Sequence, residues 1–290
     1  MKPAPFTYHR PASLAQALGL LAEQPNARIL AGGQSLMALL NLRLANPDNL
    51  IDIGRIPDLA YIVEEDGAVV IGAMTRQREI ERSALIRDRL PLLAQAIGHV
   101  GHQQTRNWGT IGGSLCHLDP TAEIPAVAMA YDATLTLQSV RGTRTMEMKH
   151  FPLGMMTPNI VADEMLISIR FPTWPKKHGA GFSEFARRHG DFAIAAAAAL
   201  VALDRSGRIA RASLTLSGVA VAPLRLTTAE HALNGSETGP AVMQTIADAV
   251  AAVEVMDDPF YPSWYRKRVA AVVIRRAFES AVFQAQEQQQ

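Results

Sequence analysis

Cysteine is almost missing from this sequence of 290 residues, in which Cys116 is the single one. One cysteine excludes an internal disulfide. It also excludes an iron–sulfur cluster held by this chain by itself, since such clusters normally need four protein ligands. His99 and His102 stand close together in the sequence, but no cysteine or carboxylate set accompanies them. We therefore expect no metal site within the chain.

An excess of charge of one sign and long apolar runs are also missing. Lysine and arginine number 28 against 27 for aspartate and glutamate, and no dense basic block is interleaved with aromatics. The sequence therefore predicts no nucleic-acid partner. The longest apolar run, Phe192 to Leu203, is shorter than a membrane span requires, and the N-terminus lacks the apolar core of a signal peptide. We expect a soluble cytoplasmic protein with no membrane span.

The length of the chain favours two or three structural units, and short apolar runs alternate with helical patterns. The pattern predicts strands over 28–31, 50–53 and 165–171, hairpins over 61–71 and 134–148, and helices over 35–44, 76–82, 91–99, 241–255 and 263–284. Asp119-Pro120 is typical of a helix start, with Asp119 as the N-cap. The Gln-rich end, 284–290, is predicted to fray.

The local sequence from Ala195 to Ala199 does not by itself decide between helix and strand. Its composition is the best available for a helix, whereas its flanks resemble the arms of a strand hairpin around Asp204 to Gly207. We predict a strand here. The stretch 172–181, with two prolines and two glycines, is the best candidate for a boundary between units.

A first glycine motif, made of Ala31, Gly32, Gly33, Gln34 and Ser35, separates a predicted strand from a predicted helix. Two glycines let the backbone turn through positive φ and approach a ligand, and free N–H groups at such a place favour an anion. A simple turn is the alternative. The motif is neither the spaced dinucleotide fingerprint nor a Walker loop, whose lysine it lacks.

A second glycine motif comprises Thr110, Ile111, Gly112, Gly113 and Ser114. Its glycines and hydroxyls predict a pliable loop that can wrap a phosphate or a sugar-like chain. Asp119 and Glu123 follow it. Both also fit a purely structural role, Asp119 as a helix cap and Glu123 as a carboxylate in the first turn of a helix.

The pair AGGQS and TIGGS, with RN before the second and DPxxE after it, resembles the FAD-binding subunit of molybdenum hydroxylases of the xanthine dehydrogenase and carbon monoxide dehydrogenase type. The resemblance extends over nearly the whole chain, through SLMALLNLRLANP, IGAMTRQREIE, RRHGDFAIAAAAA and YRKRVAAVVIRRA. It implies that the two motifs hold the FAD pyrophosphate and ribityl chain. Asp119 and Glu123 then match positions near the ribityl and adenosine parts, and Leu166 matches an apolar position beside the cofactor or is a plain core leucine.

The segment Gly190-Asp191-Phe192-Ala193 resembles a family segment close to the flavin ring. Phe192 stands where relatives often have Tyr or Trp, so the resemblance implies ring packing against the isoalloxazine but no phenolic hydroxyl. Asp191 and Phe192 complete the predicted cofactor-binding set, and no residue of this chain is predicted to be catalytic.

The fold that the resemblance implies is α+β in three parts: residues 1–57 and 58–175, which form a vanillyl-alcohol-oxidase-like (PCMH-type) FAD domain, and residues 176–290, a C-terminal α+β domain of the CO dehydrogenase flavoprotein type. FAD is expected in the cleft between them. The resemblance also implies a small subunit with 2Fe-2S clusters and a large subunit with a molybdopterin-type molybdenum cofactor, in a dimer of heterotrimers. Electrons would run from molybdenum through the clusters to FAD here, and then to an external acceptor.

Two other functions stay open. An independent FAD-dependent oxidoreductase of the same fold would need its own acid and base near the flavin, and the sequence offers no convincing set. A nucleotide-binding regulatory protein would bind without redox activity.

Overall fold

A computed structural model of the chain describes residues 1–289, which form sheets and helices in three successive layers. The strands are β1 (Thr7–His9), β2 (Ala27–Leu30), β3 (Asn49–Asp52), β4 (Ile62–Glu65), β5 (Ala68–Gly72), β6 (Thr134–Ser139), β7 (Gly142–Glu147), β8 (Pro152–Gly154), β9 (Thr157–Pro158), β10 (Met165–Pro172), β11 (His178–Ala186), β12 (Ala193–Leu203), β13 (Ile209–Ser217) and β14 (Leu224–Arg225). The helices are α1 (Leu14–Glu23), α2 (Leu36–Asn41), α3 (Gln77–Arg82), α4 (Ala84–Arg89), α5 (Pro91–Ala96), α6 (Gln103–Trp108), α7 (Ile111–His117), α8 (Glu123–Ala130), α9 (Thr227–Leu233), α10 (Pro240–Ala252) and α11 (Ser263–Glu287). The α+β fold class is confirmed.

The first two layers carry the glycine motifs. A three-stranded parallel sheet has the order β1-β3-β2, and a five-stranded antiparallel sheet has the order β4-β5-β10-β6-β7. The predicted hairpin at 61–71 is confirmed: β4 and β5 are joined through Asp66 and Gly67, whose φ angles are 46° and 69°, as a tight hairpin turn requires. Among residues 1–289, no helix combines the length and the apolar character that crossing a membrane requires.

The third layer is a four-stranded antiparallel sheet, β11-β12-β13-β14, covered by α11. The predicted strand at Ala195 to Ala199 is confirmed as part of β12. Ala195, Ala197 and Ala199 pack into the core shared with α11, while Ala198 packs into the core that contains the five-stranded sheet. Both faces of β12 are thus covered at close range, and small side chains leave room for the neighbours on each side.

Several element ends differ from the sequence prediction. The helix predicted over 91–99 stops at Ala96, and the helix predicted over 35–44 ends at Asn41, because Arg43 takes a φ of 59°. Helix α11 continues to Glu287, so fraying from Gln284 is wrong; there the Gln284 side chain accepts a bond from the Ala180 N–H. Gln290 lies outside the described residues.

Gln95, on α5, joins the first two layers to the four-stranded sheet. Its side-chain amide donates to the Ala180 carbonyl at 3.1 Å and accepts from the Phe182 N–H at 3.0 Å. Ser213 donates to the Ala130 carbonyl at 2.7 Å, at the end of α8. These bonds fix β11 against α5 and β13 against α8, the helix that follows the second glycine motif.

Candidate functional site

The first glycine motif presents a run of free backbone donors. Among residues 1–289, no protein acceptor takes a hydrogen bond from the backbone N–H groups of residues 31–35. Gly33 adopts a φ of 72°, which turns the chain between β2 and α2. Successive N–H groups around a left-handed glycine form a concavity that suits an anion. The structure therefore fits the predicted phosphate-binding role of Ala31, Gly32, Gly33, Gln34 and Ser35.

The second glycine motif is the start of α7, so its prediction as a pliable loop is wrong. Thr110 caps the helix, and its Oγ1 accepts from the Gly113 N–H at 3.1 Å. The N–H groups of Ile111 and Gly112 donate to the carbonyls of Thr75 and Ala73 at 3.2 and 2.9 Å. Protein acceptors thus already use the donors that a ligand would need here.

The role of Gly112 is explained by packing. A Cβ at this position would lie 2.6 Å from the Ala73 Cβ, so only glycine lets α7 approach the end of β5 this closely. Ser114, one residue into the helix beyond Gly113, is half-buried and keeps its hydroxyl as a donor.

The two motifs meet in space. A Cβ at Gly32 would stand well under 3.0 Å from the Trp108 carbonyl oxygen and 2.9 Å from the Gly109 Cα. A Cβ at Gly113 would lie 3.8 Å from the Ala31 Cβ. The free donors of the first motif and the start of α7 therefore form one concave site, which fits the pyrophosphate of a dinucleotide.

Asp119 does not open the next helix, as the sequence predicted. Helix α8 begins at Glu123 with Ala122 as its N-cap, and Asp119 Oδ1 instead accepts from the N–H and hydroxyl of Thr121 at 2.8 and 2.6 Å. Proline fits this turn as well as it fits a first helical position, which is why the signal was ambiguous. Burial, with a smaller contribution from the charge of Asp119, raises the pKa of Glu123 to about 7.

The remaining predicted residues lie apart from the glycine site or on its rim. Leu166 is 3% exposed and packs in the core of the five-stranded sheet, a placement that favours the plain core role. Asp191 and Phe192 are exposed in the turn before β12. Gly190, with a φ of 85°, brings this turn against the start of α6, where a Cβ would lie 2.6 Å from the His102 ring.

Glu184 on β11 is a residue that sequence reasoning missed. Its Oε2 is buried and, within residues 1–289, has no hydrogen-bond partner. Burial and, to a smaller extent, the nearby charge of Glu123 together raise the pKa of Glu184 to about 8. A charged residue between Phe182 and Phe185 was the available signal. Glu123, whose charge acts on Glu184, lies far away in the sequence.

Trp108 and Arg76 also escaped notice. Arg76 Nη1 donates to the Trp108 carbonyl, and the Arg76 guanidinium lies 5.6 Å from the centre of the exposed indole. Arg106, in contrast, is 8% exposed and pairs with Glu81 through two hydrogen bonds of 3.1 and 3.2 Å. The RN pair that precedes the second motif therefore contributes structure through its arginine.

Comparison with known families decides what this site belongs to. Residues 4–174 match the family described as the FAD binding domain in molybdopterin dehydrogenase, and residues 180–281 match the CO dehydrogenase flavoprotein C-terminal domain. The chain belongs to this family. It is the FAD-binding subunit type of the molybdenum hydroxylases, an oxidoreductase component, and its fold is the one that the sequence resemblance implied.

Relatives align with this chain over nearly its whole length. It is 38% identical over 287 residues to the alpha subunit of the 6-hydroxypseudooxynicotine dehydrogenase complex of Paenarthrobacter nicotinovorans, covering 98% of this chain and 97% of the relative. It is 36% identical over 284 residues to the carbon monoxide dehydrogenase medium chain of Hydrogenophaga pseudoflava, covering 97% and 98%. A solved structure of carbon monoxide dehydrogenase from that organism superposes with a TM-score of 0.94 at 36% identity, covering 98% of this chain and 99% of the other.

Proposed function

We propose that this chain is an electron-transfer subunit that receives electrons from a 2Fe-2S cluster of a partner subunit and delivers them to an external acceptor. The observation that carries the proposal is the run of free N–H groups at residues 31–35, closed by the second motif, in a chain with one cysteine. Bound FAD supplies the redox chemistry. Because one cysteine cannot hold a cluster, the cluster that supplies the electrons in this proposal must lie in another chain.

The proposed roles of the site residues follow from their positions. Residues 31–35 bind the two phosphates through backbone donors, and residues 110–114 hold the first motif in place and offer the Ser114 hydroxyl. Asp119 and Glu123 lie at the end of α7 and the start of α8, where they would accept from hydroxyls of the ribityl or adenosine part. Leu166 would support the cofactor from the core.

Asp191 and Phe192 are the proposed contacts to the isoalloxazine. Their turn is anchored against His102, so it lies at the junction of the FAD-binding layers with the C-terminal sheet. The Phe192 side chain is 73% exposed, and stacking against the flat isoalloxazine would bury part of its ring.

The proposed assembly contains a small 2Fe-2S subunit and a large subunit with a molybdopterin-type molybdenum cofactor, doubled into a dimer of heterotrimers in the cytoplasm. The relative from Paenarthrobacter nicotinovorans is named as a subunit of a complex, and that from Hydrogenophaga pseudoflava as a medium chain. The solved structure of the latter enzyme is described as lacking the Mo-pyranopterin moiety of its molybdenum cofactor.

We also propose unit boundaries near residues 57 and 175. Strands of the three-stranded sheet end at Asp52, the five-stranded sheet ends at Pro172, and the four-stranded sheet begins at His178. The matched family ranges end at 174 and begin at 180, which supports the second boundary.

An independent FAD-dependent oxidoreductase is the second candidate. Glu123 and Glu184, whose pKa values are raised to about 7 and about 8, are the candidates for its acid and base. Purification from the native host separates the two functions. We expect one FAD per chain together with co-purifying chains that contain iron and molybdenum; a chain that purifies alone, with FAD and no iron, would support the second candidate.

A further inference from the structure

Strand β12 begins with a β-bulge, directly after the turn that carries the proposed isoalloxazine contacts. The pairing of β12 with β11 skips Ile194, which lies between the paired residues Ala193 and Ala195. On the other side, β13 ends at Ser217, opposite Ala196. Within residues 1–289, Ile194 therefore has no partner residue in either neighbouring strand. A β-bulge bends its strand and changes the direction of nearby side chains, so the group that holds Ile194 also sets the direction of the turn.

Arg266, in the first turn of α11, holds this bulge. Its Nη1 donates to the Ile194 carbonyl at 2.7 Å and to the Gly218 carbonyl at 2.6 Å. Its Nη2 donates to Asp258, and its guanidinium lies 5.4 Å from the centre of the Tyr261 ring. The arginine is 4% exposed. The guanidinium thus provides the hydrogen bond to Ile194 that a neighbouring strand would otherwise provide.

Gly218 anchors the bulge to the segment that carries Asp119 and Glu123. The Gly218 N–H donates to the Pro120 carbonyl at 2.7 Å, and its φ of 74° turns the chain at the end of β13. A Cβ at Gly218 would lie 2.9 Å from the Ile194 carbonyl oxygen, so glycine allows this close approach. The bulge is therefore fixed relative to the helices that follow the second glycine motif.

An arginine is a costly residue at this position. Helix α11 begins at Ser263, and the positive end of the helix dipole disfavours a cation in the first turn. Burial adds a desolvation penalty that the ion pair with Asp258 offsets only in part. An apolar side chain would fill the space without this penalty, but it cannot donate to two carbonyls at once as a guanidinium can. The two bonds to the bulge and to the end of β13 are what the arginine adds.

We propose that Arg266 is a positioning residue for the flavin. By holding Ile194 and Gly218 together, it directs the turn before β12 so that the Phe192 ring lies against the isoalloxazine. Protein acceptors already take the hydrogen bonds of its Nη1 and Nη2, so Arg266 acts through the turn. The inference rests on the proposed contact between Phe192 and the isoalloxazine, and its test separates the two.

The test is a double-mutant cycle on FAD affinity, measured by titrating the full chain with FAD and following flavin fluorescence. We expect Phe192→Ala to weaken FAD binding about fivefold in the wild type. Arg266→Met keeps an apolar stem and removes the donors, and by misplacing the ring it should weaken binding by about the same factor. Adding Phe192→Ala to Arg266→Met should then weaken binding by less than about twofold, because the ring contact is already lost.

Two controls separate positioning from a general loosening of the fold. Arg275 is exposed on the same helix, and in Arg275→Met the Phe192→Ala change should keep its effect of about fivefold. ADP has the pyrophosphate and adenosine of FAD without the isoalloxazine, and Arg266→Met should bind it within about twofold of the wild type. If Arg266→Met does not fold, Asp258→Asn replaces it, because it removes the carboxylate oxygen that accepts from Nη2.

An effect of Phe192→Ala of about fivefold in the Arg266→Met background, or in its replacement, would show independent roles and overturn the inference. An equal loss of ADP and FAD affinity would show that Arg266 only stabilises the fold, and it would overturn the inference as well. A wild-type chain in which Phe192→Ala leaves FAD affinity unchanged would contradict the proposed isoalloxazine contact itself, and the inference with it.

Discussion

The Gly32 backbone lies against the Trp108 carbonyl so closely that a side-chain carbon at Gly32 would stand well under 3.0 Å from its oxygen. This contact joins the two glycine motifs, which are far apart in the sequence, into one concave site. The first motif supplies the free donors. The end of α6 and the start of α7, where the second motif lies, form a rigid wall beside them.

Gly32→Ala tests this contact. The added methyl must push the first motif away from Trp108, and we expect FAD retention to fall about tenfold or more because the donors no longer converge. Flavin content per chain after gel filtration is the measurement. Gly19→Ala in α1 is the control, since nothing lies within 4 Å of a Cβ there. Full FAD content in Gly32→Ala would show that the contact is dispensable for binding.

Asp191→Asn tests the proposed position of the isoalloxazine. A carboxylate beside the ring disfavours added negative charge, so its removal should raise the flavin potential. Asp191 is exposed, and solvent screening limits the shift to roughly 10–30 mV. A redox titration measures it, with Asp248→Asn on the exposed side of α10 as the control. Equal potentials in the two variants would argue that Asp191 lies away from the ring.

Glu184→Gln tests the buried carboxyl pair. The folded chain holds the Glu184 proton up to a pKa of about 8, whereas the unfolded chain loses it near the ordinary glutamate pKa of 4.5. The folded state thus binds more protons between these values, and stability falls as pH rises through that window. We expect Glu184→Gln to melt roughly 2–6 °C above the wild type at pH 8 and close to it at pH 4.5.

Thermal melts across this pH range give the answer, with Glu254→Gln as an exposed control. A Glu184→Gln variant that tracks the wild type at every pH would show that the carboxyl ionises freely. Glu123 lies nearby and has its own raised pKa of about 7, so Glu123→Gln should lower the pKa of Glu184.

Gln95→Ala tests the joint between the FAD-binding layers and the C-terminal sheet. It leaves the Phe182 N–H and the Ala180 carbonyl without their side-chain partner, and we expect a loss of about 2–4 kcal/mol in the free energy of unfolding. Urea denaturation measures this. Gln244→Ala is the control, since the Gln244 amide bonds only to Asp248 on the exposed surface. A loss of the same size in both variants would contradict a special role for Gln95.

Patterns local in sequence predicted most of the fold. The strand at Ala195 to Ala199 was recognised from its flanks, although its composition favours a helix, because burial on both faces overrides propensity. The second glycine motif was misread as a loop, since nothing nearby in the sequence shows that Ala73 and Thr75 would accept its N–H groups. Glu184 was missed for the same reason: its unusual pKa depends on burial and on Glu123, which only the folded chain brings near.

The most direct test of the electron-transfer role is a rapid-mixing measurement of flavin absorption in the chain alone and in the chain assembled with an iron–sulfur subunit and a molybdenum subunit. Purines, aromatic N-heterocycles, aldehydes and carbon monoxide serve as candidate substrates. We predict that none of them bleaches the flavin of the isolated, FAD-loaded chain, and that one substrate class bleaches it in the assembly. Bleaching of the isolated chain by a substrate, with steady turnover, would contradict the subunit role and establish an independent enzyme.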